Sequence, residues 1–173
     1  MLQQTRVEAV KPYFERFLKA LPTVEDLAQA PEEQLLKLWE GLGYYNRVRN
    51  LQRGARAVMA EHGGVIPASF EALKKLPGIG DYTAGAIGSI AFQIPVPAVD
   101  GNVLRVISRV LYRRDNILDA KVKRRIEGEI KEILPERTGD FNQSLMELGA
   151  TVCLPNGAPK CNECPLQELC RAH

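Results

Sequence analysis

The chemistry-bearing residues include four cysteines that crowd the end of the chain, namely Cys153, Cys161, Cys164 and Cys170. Their spacing is C-x7-C-x2-C-x5-C, and the sequence has four cysteines in all. Crowding at one end is typical of a metal or cluster site and differs from a disulfide framework. Four thiolates suit a 4Fe-4S cluster, whereas all-cysteine zinc sites more often have two C-x2-C pairs. The spacing favours an iron-sulfur cluster, with zinc as the alternative.

A carboxylate, Asp100, stands directly before a segment whose apolar residues recur at three- and four-residue steps. This periodicity predicts an amphipathic helix that begins near Gly101. A carboxylate at a helix N-terminus usually accepts hydrogen bonds from free main-chain N-H groups. From its position alone, Asp100 is therefore interpreted as an N-cap.

A turn rich in glycine, Leu76-Pro77-Gly78-Ile79-Gly80-Asp81, separates two segments with helical character. The free N-H groups of such a turn, next to the positive end of a helix dipole, could bind a DNA phosphate without reading base sequence. Alternatively, the glycines permit a tight corner between two packed helices. Both interpretations stay open at this point.

Arginines recur along two of the expected helices. Arg105, Arg109 and Arg113 are four residues apart, and Arg47, Arg49 and Arg53 lie on an earlier segment. Each set could form a solvated face, or it could neutralise phosphates and make DNA binding dependent on salt.

The composition is that of an ordinary globular protein of 173 residues, with 45% hydrophobic and 25% charged residues. A net charge of +2 neither indicates nor excludes a nucleic-acid partner. The sequence contains neither an apolar run of about 18 residues nor an apolar leader. These features predict a cytosolic protein.

Helix start and stop signals recur at short intervals, as in Thr23 three residues before Asp26 and Gly63-Gly64 after an apolar segment. The strand-like run at 94–99 contains two prolines, so it cannot be an interior strand. The chain is therefore predicted to be all-α, with Trp39 and Tyr45 in its core. We place a domain boundary near residue 97, which divides the chain into domains 1–97 and 98–173.

In combination, the turn at 76–81, the segment Val99-Asp100-Gly101-Asn102-Val103 and the cysteine set resemble the helix-hairpin-helix DNA glycosylases of the endonuclease III superfamily. The resemblance covers practically the whole chain. Met1-Leu2-Gln3-Gln4-Thr5 and Gly41-Leu42-Gly43-Tyr44-Tyr45 are similar to the adenine DNA glycosylase branch.

The resemblance implies a helix-hairpin-helix glycosylase fold, with a barrel-like helical domain and a 4Fe-4S cluster domain. It implies base excision repair by a monomer that removes adenine mispaired with 8-oxoguanine or guanine in double-stranded DNA and leaves an abasic site. We place this activity in the cytoplasm of a bacterium, at the nucleoid.

The resemblance also assigns roles to single residues. Asp100, Tyr82 and Asn102 are expected to be catalytic. Tyr82 replaces the lysine that forms a Schiff base in the bifunctional branch, and a phenol cannot form an imine. The four cysteines are the expected cluster ligands. The expected DNA-binding residues are Leu2, Gln3, Gln4, Tyr44, Arg47, Gly78, Ile79 and Gly80.

One expected group lies outside the sequence. The family has a general-acid glutamate two residues before Met-Leu-Gln-Gln-Thr, and this sequence begins at Met1. We therefore expect a truncated product or a weakly active protein, also without a C-terminal module that reads 8-oxoguanine. The alternatives are an endonuclease III-like enzyme for oxidised pyrimidines and a catalytically inactive DNA-binding module.

Overall fold

The computed structural model describes residues 1–3 and 5–173, and these residues form α-helices and turns without a strand. The α-helices are α1 (Val7–Ala20), α2 (Val24–Gln29), α3 (Glu32–Trp39), α4 (Asn46–His62), α5 (Phe70–Lys75), α6 (Asp81–Phe92), α7 (Gly101–Val110), α8 (Ala120–Glu132) and α9 (Thr138–Thr151). Two short 3₁₀ helices, Cys161–Glu163 and Gln167–Leu169, follow them. The prediction of an all-α chain is confirmed.

Residues 1–67 and 72–79 form a first compact unit. Its core includes Phe17 and Trp39, whose rings meet edge to face with their centres 6.1 Å apart. Thr23 and Asp26 form the reciprocal capping box predicted at the start of α2. Trp39 is buried as expected, but the prediction for Tyr45 is wrong. Tyr45 is 38% exposed because it lies in the loop at the N-terminus of α4.

Residues 68–71 and 80–173 form a second compact unit. In this unit α9 packs against α6 and α7, and α8 packs against α7. Its core includes Val103 and Val106 from the predicted apolar face of α7, together with Ile126, Ile130 and Leu145. The amphipathic pattern after Asp100 therefore identified a helix that is buried along one side.

The two compact units divide between Ile79 and Gly80, inside the predicted hairpin. This division does not coincide with the predicted domain boundary near residue 97, which stays a prediction. The segment 94–99, with its two prolines, lies within the second unit, where it connects α6 to α7. The prolines interrupt helical structure there and lead the chain into Asp100.

Candidate active site and cluster site

Asp100 is the N-cap of α7, and both of its carboxylate oxygens accept hydrogen bonds. Oδ1 accepts one from the main-chain N-H of Val103 at 2.8 Å, and Oδ2 accepts one from the Asn102 side-chain amide at 2.8 Å. The predicted capping role is therefore confirmed. Each carboxylate oxygen keeps a lone pair beyond these bonds, so a capped Asp100 can still face a developing positive charge.

Asn102 connects this carboxylate to a neighbouring arginine. Its Oδ1 accepts a hydrogen bond from Arg105 Nη2 at 2.9 Å. Arg105 Nη2 also donates to the Gly149 carbonyl at 2.6 Å, and its Nε donates to the Cys153 carbonyl at 2.8 Å. A continuous hydrogen-bonded path thus runs from Asp100 to the main chain of the first cysteine.

Tyr82 lies in the first turn of α6 and is partly buried. Its hydroxyl donates to Met146 Sδ at 3.3 Å. Burial raises the pKa of the Tyr82 phenol above its ordinary value of 10.0, and the negative charge of Asp100 raises that pKa further. Tyr82 is therefore a neutral phenol at physiological pH, and it lies within electrostatic reach of Asp100.

A buried asparagine that the sequence analysis did not single out, Asn142 of α9, holds the segment that leads into Asp100. It is 1% exposed, and its side-chain Nδ2 donates to Ser89 Oγ and to the Val96 carbonyl, both at 2.9 Å. Its Oδ1 accepts from the Ala98 N-H at 3.1 Å. The sequence pattern that could have identified Asn142 is its helical spacing from Leu145 and Gly149, which places it on the buried face of α9. Asn142 therefore helps to position Asp100.

Gly149 of α9 lies against the other side of the site. A Cβ atom at Gly149 would lie 2.5 Å from Asn102 Cβ and 3.0 Å from Asn102 Cα. Only a residue without a side chain allows α9 to approach the start of α7 this closely. In the sequence, Gly149 is a glycine within an amphipathic helix. This pattern does not identify Asn102 as the residue against which it packs.

At the predicted hairpin, Gly78 adopts the left-handed backbone conformation, with φ of +80°. A Cβ atom there would lie 2.7 Å from Asn50 Cβ. The N-H of Ile79 donates to the Leu76 carbonyl at 3.1 Å, so this one donor is used within the turn. Gly80 is the N-cap of α6. The phosphate-binding role of these three residues stays a prediction.

The expected DNA-contacting side chains of the first unit are at its surface. Leu2 is 57% exposed, Gln3 is exposed, and Tyr44 is 64% exposed with φ of +50°. Gln4 lies outside the described residues. Arg47 differs from this group, because its guanidinium is directed at protein oxygens instead of solvent.

Arg105 and Arg109 lie on α7, but Arg113 lies beyond its end at Val110, so the prediction that all three share one helix is wrong. All three arginines have protein partners. Arg109 donates to Cys153 Sγ at 3.2 Å and to the Leu154 carbonyl at 2.8 Å, and Arg113 forms an ion pair with Glu129 at 2.7 Å. With Arg105 already bound at Asn102, all three side chains make internal contacts. The interpretation of this stripe as a simple solvated face is wrong, because its arginines bind neighbouring loops and helices.

The four cysteines are free and half-buried, and all of them line one cavity of about 190 Å³. Arg109 Nη1 donates a hydrogen bond to Cys153 Sγ at the edge of this cavity. Among residues 1–3 and 5–173, no three His, Cys, Asp or Glu side chains meet closely enough to hold a single metal ion. A 4Fe-4S cluster has one iron atom for each thiolate, so its four ligands must be arranged around a cavity. The four cysteines line such a cavity. The donor set therefore fits a 4Fe-4S group.

Comparison with known protein families places the chain in a class of DNA repair proteins. The sequence profile of the family described as HhH-GPD superfamily base excision DNA repair protein matches residues 1–132. The chain belongs to this family.

Within it, the chain is similar to adenine DNA glycosylases. The adenine DNA glycosylase of Rattus norvegicus is 50% identical over 175 residues, which are 100% of this chain and 34% of that protein. The human adenine DNA glycosylase is 49% identical over 174 residues, with 99% of this chain and 32% of that protein covered. For the adenine DNA glycosylase of Buchnera aphidicola (subspecies Baizongia pistaciae), the identity is 41% over 174 residues, with 100% and 49% covered. The resemblance inferred from the sequence is confirmed.

The chain thus spans about a third to a half of the length of these relatives. The relatives come from mammals as well as bacteria, so the predicted bacterial nucleoid location has no support. In the described part of the chain, no helix combines the length and apolar character needed to cross a membrane.

Solved structures have the same fold. A thermostable thymine-DNA glycosylase matches with a TM-score of 0.87 at 30% identity, covering 99% of this chain and 79% of that one. An endonuclease III bound non-covalently to DNA matches with a TM-score of 0.83 at 28% identity, covering 99% and 78%. The predicted helix-hairpin-helix glycosylase fold is confirmed.

Proposed function

We propose that this chain forms the catalytic part of an adenine DNA glycosylase, which hydrolyses the N-glycosidic bond of adenine opposite 8-oxoguanine or guanine. The observation that carries the proposal is the Asp100 carboxylate, which is hydrogen-bonded at both oxygens and lies near a neutral Tyr82. The similarity to adenine DNA glycosylases supports the choice of base.

Asp100 would act on the sugar. As adenine leaves, positive charge develops on the deoxyribose, and a fixed carboxylate stabilises that charge or captures the carbon covalently. Because Asn102 and the Val103 N-H already orient the carboxylate, little reorganisation accompanies the reaction. Asn102 is in this scheme a positioning residue for Asp100.

Tyr82 would limit the reaction to base removal. An amine at this position could form an imine and drive elimination of the phosphate, but a phenol cannot. The raised pKa of Tyr82 also keeps its proton in place at neutral pH. The expected product is an intact strand with an abasic site.

The surface residues of the first unit would contact double-stranded DNA. Adenine in a duplex is stacked, so it must be extruded before its glycosidic bond can be reached. Leu2, Gln3, Gln4 and Tyr44 would enter or border the stack, and the turn at Gly78-Ile79-Gly80 would bind a phosphate. The exposure of Leu2, Gln3 and Tyr44 is consistent with this role.

Cys153, Cys161, Cys164 and Cys170 would hold the 4Fe-4S cluster. When bound, the group would supply thiolate-iron bonds that tie together the loops carrying the ligands. Arg109 would stabilise the Cys153 thiolate through the Nη1 contact, and Arg105 would connect that loop to Asn102. The cysteines' role is thus to anchor the end of the chain beside α7.

The proposal is tested by single-turnover adenine release, measured with this chain and with a chain extended upstream through the glutamate that the resemblance implies. The substrate is a duplex with adenine opposite 8-oxoguanine, and product is scored with and without alkali. Release that becomes visible only after alkali, and that is lost in Asp100→Asn, is expected. Strand scission without alkali would point to the endonuclease III-like alternative, and tight binding without release would point to an inactive DNA-binding module.

Two variants test the assignments of Tyr82 and the cysteines. Tyr82→Lys is expected to produce a covalent complex with DNA on borohydride reduction, and failure to trap one would count against the placement of Tyr82. Cys164→Ser is expected to lose the visible absorbance of a brown protein. A colourless wild-type protein that contains one zinc per chain would overturn the cluster assignment.

A further inference from the structure

The Arg47 guanidinium joins two chain segments that are far apart in the sequence. Its two terminal nitrogens are directed at five oxygen atoms, three in residues 1–5 and two in the loop before α4. Nη1 contacts the Met1 carbonyl at 2.8 Å, the Thr5 hydroxyl at 3.0 Å and the Gln3 carbonyl, and Nη2 contacts the Leu42 carbonyl at 3.1 Å and the Gly43 carbonyl at 3.2 Å. Arginine carries four N-H groups on these two nitrogens. They are all engaged within the protein.

The remaining N-H of Arg47, on Nε, is buried and has no hydrogen-bond partner within residues 1–3 and 5–173. The guanidinium carbon lies 5.5 Å from the centre of the Trp39 ring and 5.2 Å from that of the Tyr44 ring. The aromatic rings therefore cover the guanidinium where oxygens do not. The N-H groups on Nη1 and Nη2 are engaged and the Nε N-H is buried, so Arg47 has no accessible N-H group for a DNA phosphate.

The loop that Nη2 contacts has an uncommon backbone. Gly41, Gly43 and Tyr44 have φ values of +99°, +68° and +50°. A tyrosine in this conformation is held by its surroundings. Here the holding contacts are the two Arg47 bonds and the Trp39 Nε1 bond to the Gly43 carbonyl at 3.0 Å.

We propose that Arg47 positions the side chains that enter the DNA base stack and does not itself contact a phosphate. Its guanidinium sets the distance between the Leu2-Gln3 segment and the Tyr44 loop, so that these exposed side chains are ordered before DNA arrives. Ordering them in advance lowers the entropic cost of opening the base stack. This inference rests on the proposed function, because it assumes that these side chains enter the stack.

Two substitutions at position 47 distinguish a positioning role from a phosphate contact. Arg47→Lys keeps the positive charge but cannot bridge the two segments, whereas Arg47→Met removes the charge altogether. Loss of a phosphate contact should reduce the slope of log K against log salt by about 1. The matched control is Lys19→Met, which removes one positive charge from an exposed position of α1 that has no expected DNA contact.

Each variant is made in the extended chain that is used for the adenine-release test. Duplex affinity is measured across a salt series, and base extrusion is measured from the fluorescence of 2-aminopurine at the target adenine position. We expect Arg47→Met to keep the wild-type salt slope, and Arg47→Lys to lower both the fluorescence increase and single-turnover release at least tenfold. Hydrogen exchange should quicken at residues 1–3 and 41–45 in both variants.

The inference would be overturned if Arg47→Lys behaved as wild type while Arg47→Met lost one unit of salt slope. A general loss of folding is distinguished by hydrogen exchange, which would then rise throughout the first unit instead of at the two segments. Failure of the proposed function has a different signature, because the wild-type protein would itself neither extrude nor release adenine.

Discussion

Asn102 Nδ2 lies 2.8 Å from Asp100 Oδ2, and Asn102 Oδ1 lies 2.9 Å from Arg105 Nη2. The amide thus donates to the carboxylate and accepts from the guanidinium, an order that requires a side chain with both a donor and an acceptor. A carboxylate at position 102 would repel Asp100. An alanine would remove the hydrogen bonds to both Asp100 and Arg105. The identity of residue 102 is therefore decided by the two charged groups beside it.

Asn102→Ala is predicted to slow adenine release. A hydrogen bond to a charged group contributes about 1.5–3 kcal/mol, which corresponds to a rate reduction of roughly 10- to 150-fold. Single-turnover kinetics would measure the effect. Asn162→Ala, at an exposed position of the first 3₁₀ helix, is the control. Equal rates in the two variants would contradict the role of Asn102.

Arg105→Lys is predicted to destabilise the second unit and to lower its cluster content together. A lysine cannot reproduce the simultaneous bonds to Asn102, Gly149 and Cys153. We expect a loss of about 2–5 kcal/mol, because several charge-assisted bonds are removed. Urea unfolding and visible absorbance would be measured on the same samples. Arg124→Lys, at an exposed site of α8, should change neither quantity.

Gly149→Ala and Gly128→Ala are predicted to act in opposite directions. An alanine Cβ at position 149 would lie 2.5 Å from Asn102 Cβ, so the variant should lose about 1–3 kcal/mol through overpacking. Nothing lies within 4 Å of a Cβ at position 128 in α8. Gly128→Ala should therefore gain about 0.5–1 kcal/mol from helix propensity. Thermal unfolding of both variants tests the pair, and a shift in the same direction would contradict it.

Asn142→Leu is predicted to be among the more destabilising changes in the chain. It leaves the Val96 carbonyl and the Ala98 N-H without partners. Each unpaired buried group costs about 1–3 kcal/mol, so we expect a loss of roughly 2–5 kcal/mol. Gln143→Leu alters the exposed residue beside it and should change stability by less than about 0.5 kcal/mol. Urea unfolding would show whether the two differ.

The raised pKa of Tyr82 predicts a loss of stability at high pH. Because burial and Asp100 raise the folded-state pKa above the unfolded value of 10.0, the folded protein retains a proton that the unfolded chain has lost. The free energy of unfolding should therefore fall as the pH rises above 10 through the folded-state pKa. Tyr82→Phe should show a shallower fall. Urea unfolding between pH 9 and pH 11, roughly spanning the tyrosine range, tests this, and equal slopes in both proteins would refute it.

Much of the fold followed from local signals. The capping box at Thr23 and the helix end at Gly63 are determined by neighbouring residues, so short-range physics was enough. The core position of Tyr45 was predicted wrongly, because helical spacing was extended across a loop that the Gly41–Tyr44 backbone forms. Periodicity describes a helix and does not show where the helix begins.

The chemistry-bearing residues were partly recognised in the same way. Asp100 and the cysteines were identifiable because a helix-capping carboxylate and clustered thiols have spacing signatures of their own. The roles of Arg105, Arg109 and Arg47 were not identifiable, since an arginine at helical spacing looks the same whether it binds solvent, phosphate or a carbonyl. Their partners lie 44 to 48 residues away for the Arg105-Cys153, Arg109-Cys153 and Arg47-Gln3 contacts.

By itself, the sequence determined the all-α class, the capping of α7 by Asp100 and the grouping of four cysteines. These depend on residues within about one helical turn or one loop of each other, where geometry is nearly independent of context. Only the tertiary structure decided that Asn142 holds the approach to Asp100, that Gly149 admits Asn102, and that Arg47 joins residues 1–5 to the loop before α4. Such contacts depend on which buried polar groups are left unpaired once the helices have packed, and that is a property of the folded chain as a whole.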